Sequence, residues 1–289
     1  MQLRTDLALE ANELKNSFTH PTVRKYGELT VTALDISTDE GAELLSKPKG
    51  RYVTIEGLRL TDSVRDIQEH IGIIARELRS LLTDEGMVIV AGLGNIAITP
   101  DALGPKSTQY VLATRHLTGG IARASGLDRL RAVSVIAPGV LGQTGIEAGE
   151  MIISLVKRLR PSAVIAVDAL AARSLSRLGS TIQLSDTGIV PGSGVGNHRM
   201  KLDRESIGVP VIAVGIPTVV DAATLACDLL YGNDAPEGEV HLPEQSRRMM
   251  VTPRETDIMI TRAAKLTGMA INCALQPDCD IDTLSALIS

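Results

Sequence analysis

Two aspartates that follow apolar runs give the first indication of chemistry in this sequence. Asp101 comes shortly after the run Met87–Gly92, and Asp168 ends the run Ala163–Asp168. Because the carboxyl ends of parallel strands meet at one edge of an open sheet, we expect the two carboxylates to converge there. Two acids in one partly dry site have pKa values pushed apart, which leaves one ionised and one protonated. Such a pair can activate water and protonate a leaving amine.

Each aspartate also has a structural interpretation when it is considered alone. Thr99 can cap the helix that follows it, Pro100 suits the first helical turn, and Asp101 complements the helix dipole. Asp168 can cap the helix that follows its strand. Convergence of the two carboxylates is therefore the observation that favours catalysis over a structural role.

The turn Gly92–Gly94 also resembles the start of a dinucleotide-binding fold. The third glycine of that motif is replaced by Ala97, which the motif tolerates. However, Asp101 stands at the start of the next helix, where it would repel a pyrophosphate, and no lysine follows in a phosphate-loop pattern. Nucleotide binding is therefore not the leading interpretation. A non-catalytic α/β module that binds a small molecule stays as the alternative from another functional class.

A third candidate element is the glycine-rich stretch Ser185–Met200. Its glycines and Pro191 exclude a regular helix or a central strand. The stretch is either a long connection or a loop over the site whose backbone amides hold a peptide or an oxyanion. Asp186 and His198 are weak candidates for metal ligands, because no pair in the chain has the spacing of a metal site. The candidate substrate-loop residues are Asp186, Gly192, Gly194, Gly196 and His198.

Composition and charge narrow the functional classes. Hydrophobic residues make up 44% of the 289 residues, which is ordinary for a globular protein, but there are only one Phe, four Tyr and no Trp. So few aromatic rings weigh against binding of single-stranded nucleic acid by base stacking. A formal net charge of −5 argues against a DNA-binding surface. We therefore expect no direct nucleic-acid partner.

The cysteines and the apolar segments bear on the compartment. Cys227, Cys273 and Cys279 have no metal-like spacing and are odd in number, so we expect free thiols in a reducing cytoplasm. We see no signal peptide, and polar residues interrupt every apolar stretch before it reaches a membrane-spanning length. The sequence predicts a cytoplasmic protein with no membrane partner.

The order of the apolar patterns predicts the fold class. Val- and Ile-rich runs that suit strands buried on both faces lie at Met87–Gly92, Val133–Ala137, Ala163–Asp168 and Val211–Gly215. Helical spacing of apolar residues predicts helices at Leu7–Lys15, Asp62–Leu82, Ala102–Leu117, Gly145–Leu159, Thr218–Leu230 and Pro253–Leu275. This alternation predicts an α/β fold in which a mostly parallel sheet is flanked by helices on both faces.

The beginning of the chain has a different pattern. Glu28–Ile36 and Arg51–Glu56 are predicted strands without the regular alternation with helices. We predict an N-terminal strand-rich portion at residues 1–83, packed on an α/β core at residues 84–289.

Seven blocks of the sequence, in order, resemble the germination proteases of spore-forming bacteria. They are "VRKYGELTVTALDI", "KGRYVTIEG", "GLGNIAITPDALGPK", "PGVLGQTGIEAGE", "AVDALAARSLSRL", "SDTGIVPGSGVGNHR" and "GIPTVVDAATL". The resemblance implies a phosphorylase/hydrolase-like fold similar to the hydrogenase-maturation endopeptidases, whose strand-to-acid turn matches Gly92–Asp101. It also implies an endopeptidase that initiates degradation of small acid-soluble spore proteins during germination, in the cytoplasm of the forespore or spore core.

The resemblance also implies the roles of individual residues. Its two proposed catalytic aspartates correspond here to Asp101 and Asp168. The related maturation endopeptidases bind a metal through an acid at each of these turns plus a histidine. This sequence offers no convincing histidine, so we expect an aspartic-type mechanism without a cofactor and keep a metal-assisted peptidase as the alternative. The family forms tetramers, so we expect a homotetramer.

The N terminus matches the same resemblance. Germination proteases are made as zymogens that remove a short N-terminal segment themselves. The match here is "RTDLALEA", which predicts self-processing between Asp6 and Leu7 and a propeptide of residues 1–6. The alternative is a frayed terminus that leads into a first helix at Leu7–Lys15.

Overall fold

The structure, a computed structural model, describes residues 5–15, 17–61, 67–83, 85–117, 120–124, 126–192, 200–231 and 249–288. Three of the predicted substrate-loop residues lie outside this part of the chain: Gly194, Gly196 and His198. Asp6, Leu7, Asp101, Asp168, Asp186 and Gly192 lie within it.

The described strands form a single nine-stranded sheet. They are β1 Thr22–Tyr26, β2 Leu29–Ile36, β3 Gly50–Glu56, β4 Val88–Gly92, β5 Val133–Ile136, β6 Ala163–Ala172, β7 Thr181–Ser185, β8 Val211–Asp221 and β9 Met250–Val251. The order across the sheet is β1-β2-β3-β7-β8-β6-β4-β5, and β9 pairs with the end of β8. The helices are α1 Ala8–Leu14, α2 Asp39–Leu45, α3 Ile67–Arg79, α4 Leu103–Ser107, α5 Gly120–Ala124, α6 Leu141–Thr144, α7 Ala148–Leu159, α8 Arg204–Ile207, α9 Ala222–Tyr231, α10 Thr256–Leu275 and α11 Ile281–Ile288.

The α/β class is confirmed, and the sheet is mixed. The four strands predicted from Val- and Ile-rich runs pair in parallel, in the order β8-β6-β4-β5. The N-terminal strands pair antiparallel and continue the same sheet, because β3 pairs with β7 and β7 pairs with β8. The prediction of a mostly parallel sheet therefore holds for the half of the sheet that carries Asp168, and the antiparallel half extends it.

Helices cover both faces of the parallel half, and the alternation of side chains explains how. Val88 and Val90 of β4 belong to a cluster with residues of α3 and α10. Ile89 and Ala91 of the same strand belong to a separate cluster that includes Ile152 of α7 and residues around α8. Successive residues of a strand point to opposite faces, so a strand buried on both sides needs apolar residues at every position. The aliphatic runs of the sequence meet this requirement.

Several helix predictions change at their N-terminal ends or in their length. The helices predicted from Pro253 and Gly145 begin three residues later, at Thr256 and Ala148, with Glu255 and Glu147 at the N-cap positions. The predicted helix at Ala102–Leu117 is limited to α4 and short 3-10 turns on either side of it. The predicted helix at Thr218–Leu230 begins only at Ala222, because β8 runs on to Asp221. The residues that stay in the strand include Thr218, Val219 and Val220, whose branched side chains favour extended backbone.

Candidate functional site

Asp101 lies in the turn between β4 and α4. Residues Thr99–Asp101 form a single 3-10 turn, and the half-buried carboxylate of Asp101 folds back towards the end of β4. There its Oδ2 accepts a hydrogen bond of 2.7 Å from the backbone N–H of Asn95. Thr218 Oγ1 of β8 donates to the backbone oxygen of Pro100 at 2.8 Å, which ties this turn to the neighbouring part of the sheet. The turn that carries Asp101 is therefore held by a contact from the segment after β4 and by one from β8.

Asp168 lies within β6 rather than at its end. The strand continues to Ala172, so the prediction that it ends at Asp168 was short, and Asp168 does not cap a helix. The next helical turn, Leu175–Arg177, is capped by Ser174 instead. Asp168 is opposite Gly215 of β8, its exposed fraction is 4%, and its Oδ1 accepts a hydrogen bond of 2.9 Å from the N–H of Ala169. It is a buried carboxylate in the centre of the sheet.

The two carboxylates line the same cleft. This cleft has a volume of about 310 Å³ and lies where β4, β6 and β8 approach their carboxyl ends. Its walls are largely apolar, with Ile98, Val140 and Leu170 among them. An apolar cleft with convergent carboxylates is the arrangement expected of a site that excludes water and uses acid and base groups.

The candidate substrate loop is divided between the cleft and the end of β7. Gly192 lines the cleft together with Ile189 and Val190. Asp186 is exposed instead, and its Oδ1 accepts a hydrogen bond of 2.8 Å from the N–H of Arg51 at the start of β3. Asp186 thus continues the pairing of β3 with β7, and it is not one of the described residues that line the cleft.

The N-terminal segment enters the same cleft, which the sequence alone did not indicate. Asp6 is among the cleft-lining residues. Its backbone N–H donates to the oxygen of Ala171 at 2.9 Å, and its Oδ2 accepts from the N–H of Ala171 at 2.8 Å. The adjacent Leu7 is fully buried and packs with Leu170 and Ala172 of β6. The predicted processing site is thereby docked on the strand that carries Asp168.

Two further polar side chains contact this segment. The backbone oxygen of Asp6 accepts from Lys47 Nζ at 3.0 Å and from Gln183 Nε2 at 3.3 Å. Burial lowers the pKa of Lys47 below its usual range, although the nearby charges of Asp6 and Glu10 act in the opposite direction. Neither Lys47 nor Gln183 belongs to a motif that sequence analysis singled out. Gln183 lies in β7, which was not predicted, so no signal in the sequence placed it near the site.

Comparison with known proteins decides the family. A family model described as "Germination protease" matches residues 7–231. A germination protease of Clostridium perfringens is 40% identical, with 99% of each chain covered, and one of Caldanaerobacter subterraneus subsp. tengcongensis is 40% identical, with 95% of this chain and 94% of the relative covered. One of Priestia megaterium is 36% identical, with 98% and 96% covered. The chain belongs to the germination protease family.

The germination protease family is a family of peptidases, and the cleft described above is therefore the candidate site of a peptidase. In this germination protease family member, the matched region begins at Leu7, directly after the residue docked on β6. The three cysteines are thiols that take part in no disulfide, as expected, with Cys227 buried and Cys273 and Cys279 half-buried. Within the described ranges, no group of three or more His, Cys, Asp and Glu side chains is placed to hold a metal ion. No helix in the described part of the chain is long and apolar enough to cross a membrane.

Gly94 is needed for the turn that holds Asp101, and this yields a first prediction. Gly94 has a φ of +110°, and an added Cβ would lie 2.1 Å from the backbone oxygen of Asp101. We expect Gly94→Ala to lower the free energy of unfolding by about 1–3 kcal/mol. Because the clash displaces Asp101, peptidase activity should fall on the order of a hundredfold. Urea denaturation and a peptidase assay on the same preparation measure the two effects.

The matched control for this substitution is Gly208→Ala. Gly208 has a φ of +88°, but no atom lies within 4 Å of an added Cβ. This variant therefore carries the backbone strain without the clash, and it should lose stability while its activity stays near that of the wild type. Full activity in Gly94→Ala would show that the position of Asp101 does not depend on this contact.

Proposed function

We propose that this protein is an endopeptidase that initiates the degradation of small acid-soluble spore proteins during germination, using water activated between Asp101 and Asp168. The observation that supports this proposal is that the two carboxylates line one largely apolar cleft in a member of the germination protease family. Either aspartate alone has a structural explanation, whereas two aspartates that line one cleft can act on the same substrate as acid and base.

The reaction needs one ionised and one protonated carboxyl group. The ionised group takes a proton from water, and the resulting hydroxide forms a bond to the carbonyl carbon of the substrate. The protonated partner either polarises the carbonyl oxygen or protonates the leaving amine, and in both cases the carboxylate pair returns one proton to the amine as the carbon–nitrogen bond breaks. The products are a carboxylic acid and an amine, and the pair returns to its starting state. The apolar cleft walls strengthen these electrostatic interactions by excluding water.

We further propose that the chain is a zymogen that cuts its own Asp6–Leu7 bond. Support comes from the docking of Asp6 in the cleft that contains Asp101 and Asp168, and from the family match that begins at Leu7. The mature protein would work as a homotetramer in the spore core, as the family resemblance implies. Its substrates there are basic, unstructured proteins, whose flexible chains suit a cleft in which Asp6 of the N-terminal segment is already docked.

The metal-assisted peptidase is the second candidate for the same site, and chelation separates the two. Two convergent carboxylates are also a partial site for a hard cation. For the aspartic-type mechanism, we expect prolonged chelation followed by gel filtration to leave the peptidase activity unchanged. A metallopeptidase treated in parallel should lose its activity and so shows that chelation was complete. Loss of activity here, followed by rescue with one divalent ion, would assign the metal-assisted mechanism.

A cleavage assay tests the whole proposal against the alternative of a non-catalytic binding module. The substrate is a purified small acid-soluble spore protein, and the products are identified by mass spectrometry. We expect discrete internal cuts by the wild-type protein. A binding module leaves the substrate intact at any incubation time, so an uncut substrate in the presence of folded, processed protein would refute the function.

A further inference from the structure

The carbonyl oxygen of Asp6 is held by two donors from distant parts of the chain. Lys47 Nζ lies 3.0 Å from it, and Gln183 Nε2 lies 3.3 Å from it. Lys47 follows α2, whereas Gln183 is in β7 in the middle of the sheet. This carbonyl belongs to the Asp6–Leu7 peptide bond, which is the bond that the proposed self-processing breaks.

The groups on either side of this bond are also fixed. Gln183 spans the bond, because its Nε2 donates to the oxygen of Asp6 while its Oε1 accepts from the N–H of Ala8 at 2.7 Å. The Leu7 side chain is fully buried in an apolar cluster with Ala172 and Val220. Because both flanks are held, the whole peptide unit is fixed in one position and orientation, as a near-attack geometry requires.

Lys47 directs its charge at backbone carbonyls. Its Nζ donates to the oxygen of Thr5 at 3.0 Å as well as to that of Asp6. The charged groups that act on it are the carboxylates of Asp6 and Glu10, and burial lowers its pKa in spite of them. Burial of an ammonium group costs free energy unless its charge is compensated by hydrogen-bond acceptors or by an opposite charge. Hydrolysis of the Asp6–Leu7 bond places a full negative charge on the oxygen that this ammonium contacts.

We propose that Lys47 and Gln183 form an oxyanion-binding pair for the cleavage of the protein's own Asp6–Leu7 bond. The inference rests on the proposed self-processing function. When water adds to the Asp6 carbonyl carbon, the π electron pair moves to the carbonyl oxygen, and Lys47 and Gln183 stabilise that oxyanion. When the tetrahedral carbon collapses, the bond to the Leu7 nitrogen breaks. The proton that water lost to the carboxylate pair is matched by the proton that the Leu7 amine gains.

The decisive experiment measures the rate at which a new terminus appears at Leu7. Donors that bind a developing oxyanion contribute on the order of a hundredfold or more to such rates. We expect Lys47→Met to slow the conversion by that amount. Lys47→Arg keeps a charged donor and should restore the rate to within about tenfold of the wild type. The matched control is Lys49→Met, because Lys49 pairs with Asp39 at 2.6 Å at the surface, and this variant should convert at the wild-type rate.

A second measurement separates this role from mere docking of the segment. In the background of Asp168→Asn, where no cut is expected, hydrogen exchange at the amide of Ala8 reports whether the segment is still held by Gln183. We expect Lys47→Met to leave this protection unchanged. Loss of the protection would mean that Lys47 only anchors the segment, and the oxyanion role would be refuted.

The outcomes distinguish this inference from the function on which it rests. If Asp168→Asn alone converts at the wild-type rate, the proposed self-processing site is wrong. If Asp168→Asn blocks conversion but Lys47→Met converts within about twofold of the wild type, the aspartate site stands and the role of Lys47 is overturned.

Discussion

Asp101→Asn and Asp168→Asn are each expected to lower the rate of substrate cleavage on the order of a hundredfold or more, while both variants fold normally. The amide has nearly the same shape as the carboxylate and keeps an acceptor oxygen, so the hydrogen bonds from Asn95 and Ala169 can be retained. It cannot take up or deliver the proton that peptide hydrolysis requires. Steady-state cleavage of a small acid-soluble spore protein, measured on variants with unchanged unfolding curves, gives the result.

Asp186→Asn is the matched control for these two variants. Asp186 belongs to the candidate loop, but its carboxylate accepts from Arg51 at the edge of β3 rather than lining the cleft. We expect its activity to stay within about twofold of the wild type, as for a surface substitution away from the site. Near-wild-type cleavage by a folded Asp101 or Asp168 variant would remove that aspartate from the mechanism.

Self-processing should fail completely in the zymogen that carries Asp168→Asn. In the wild type, incubation at mild acid should produce a new terminus at Leu7, and N-terminal sequencing detects it. Mild acid is the chosen condition because Asp6, Asp101 and Asp168 line one cleft, where negative charges repel one another. The variant keeps the docked segment but lacks one half of the proton-transfer pair.

The control for this experiment is the wild type and the Asp168→Asn zymogen mixed in one tube. If the segment is cut by the site in which it is docked, the wild-type chain converts and the variant chain does not. Conversion of both chains at equal rates, in separate tubes as well as in the mixture, would mean that another protease makes the cut. The zymogen interpretation would then be abandoned for this chain.

The sequence predicted the parallel half of the sheet because its strands have an unambiguous pattern. A strand buried on both faces needs an unbroken aliphatic run, and β4, the first part of β6 and the first part of β8 have one. β5 is an edge strand that is only partly buried, and its apolar run is interrupted by Ser134. For the same reason, the two aspartates could be predicted to line one cleft. Parallel strands have their carboxyl ends at the same edge of a sheet, so the prediction requires only that the two strands before the aspartates be recognised in the sequence. The end of β6 was missed because Asp168 is followed by alanines, which have little strand preference of their own. Pairing with β8 keeps that segment extended.

The rest of the site depends on contacts that no local pattern encodes. β7 alternates Thr181, Gln183 and Ser185 with apolar residues, which is a pattern typical of a strand, but five residues are a short signal and no strand was predicted there. The alternation also does not indicate that β7 pairs with β3 and β8. Asp6 and Ala171 are hydrogen-bonded although they are 165 positions apart in the sequence. Such a contact is determined by the completed sheet, and one sequence without its tertiary structure does not reveal it.

The same long-range docking would determine when the proposed self-processing can begin. Asp6 precedes its partners Ala171 and Gln183 by 165 and 177 positions, and β8, which holds these partners in place, is made later still. A nascent chain therefore has no cleft for this segment until β8 has been made. Contacts between distant parts of a chain form late, because closing the loop costs entropy before any contact offsets it. Removal of the segment would consequently require that the sheet has been made through β8 and has folded, and a protease without this sheet would leave the proteins around it uncut.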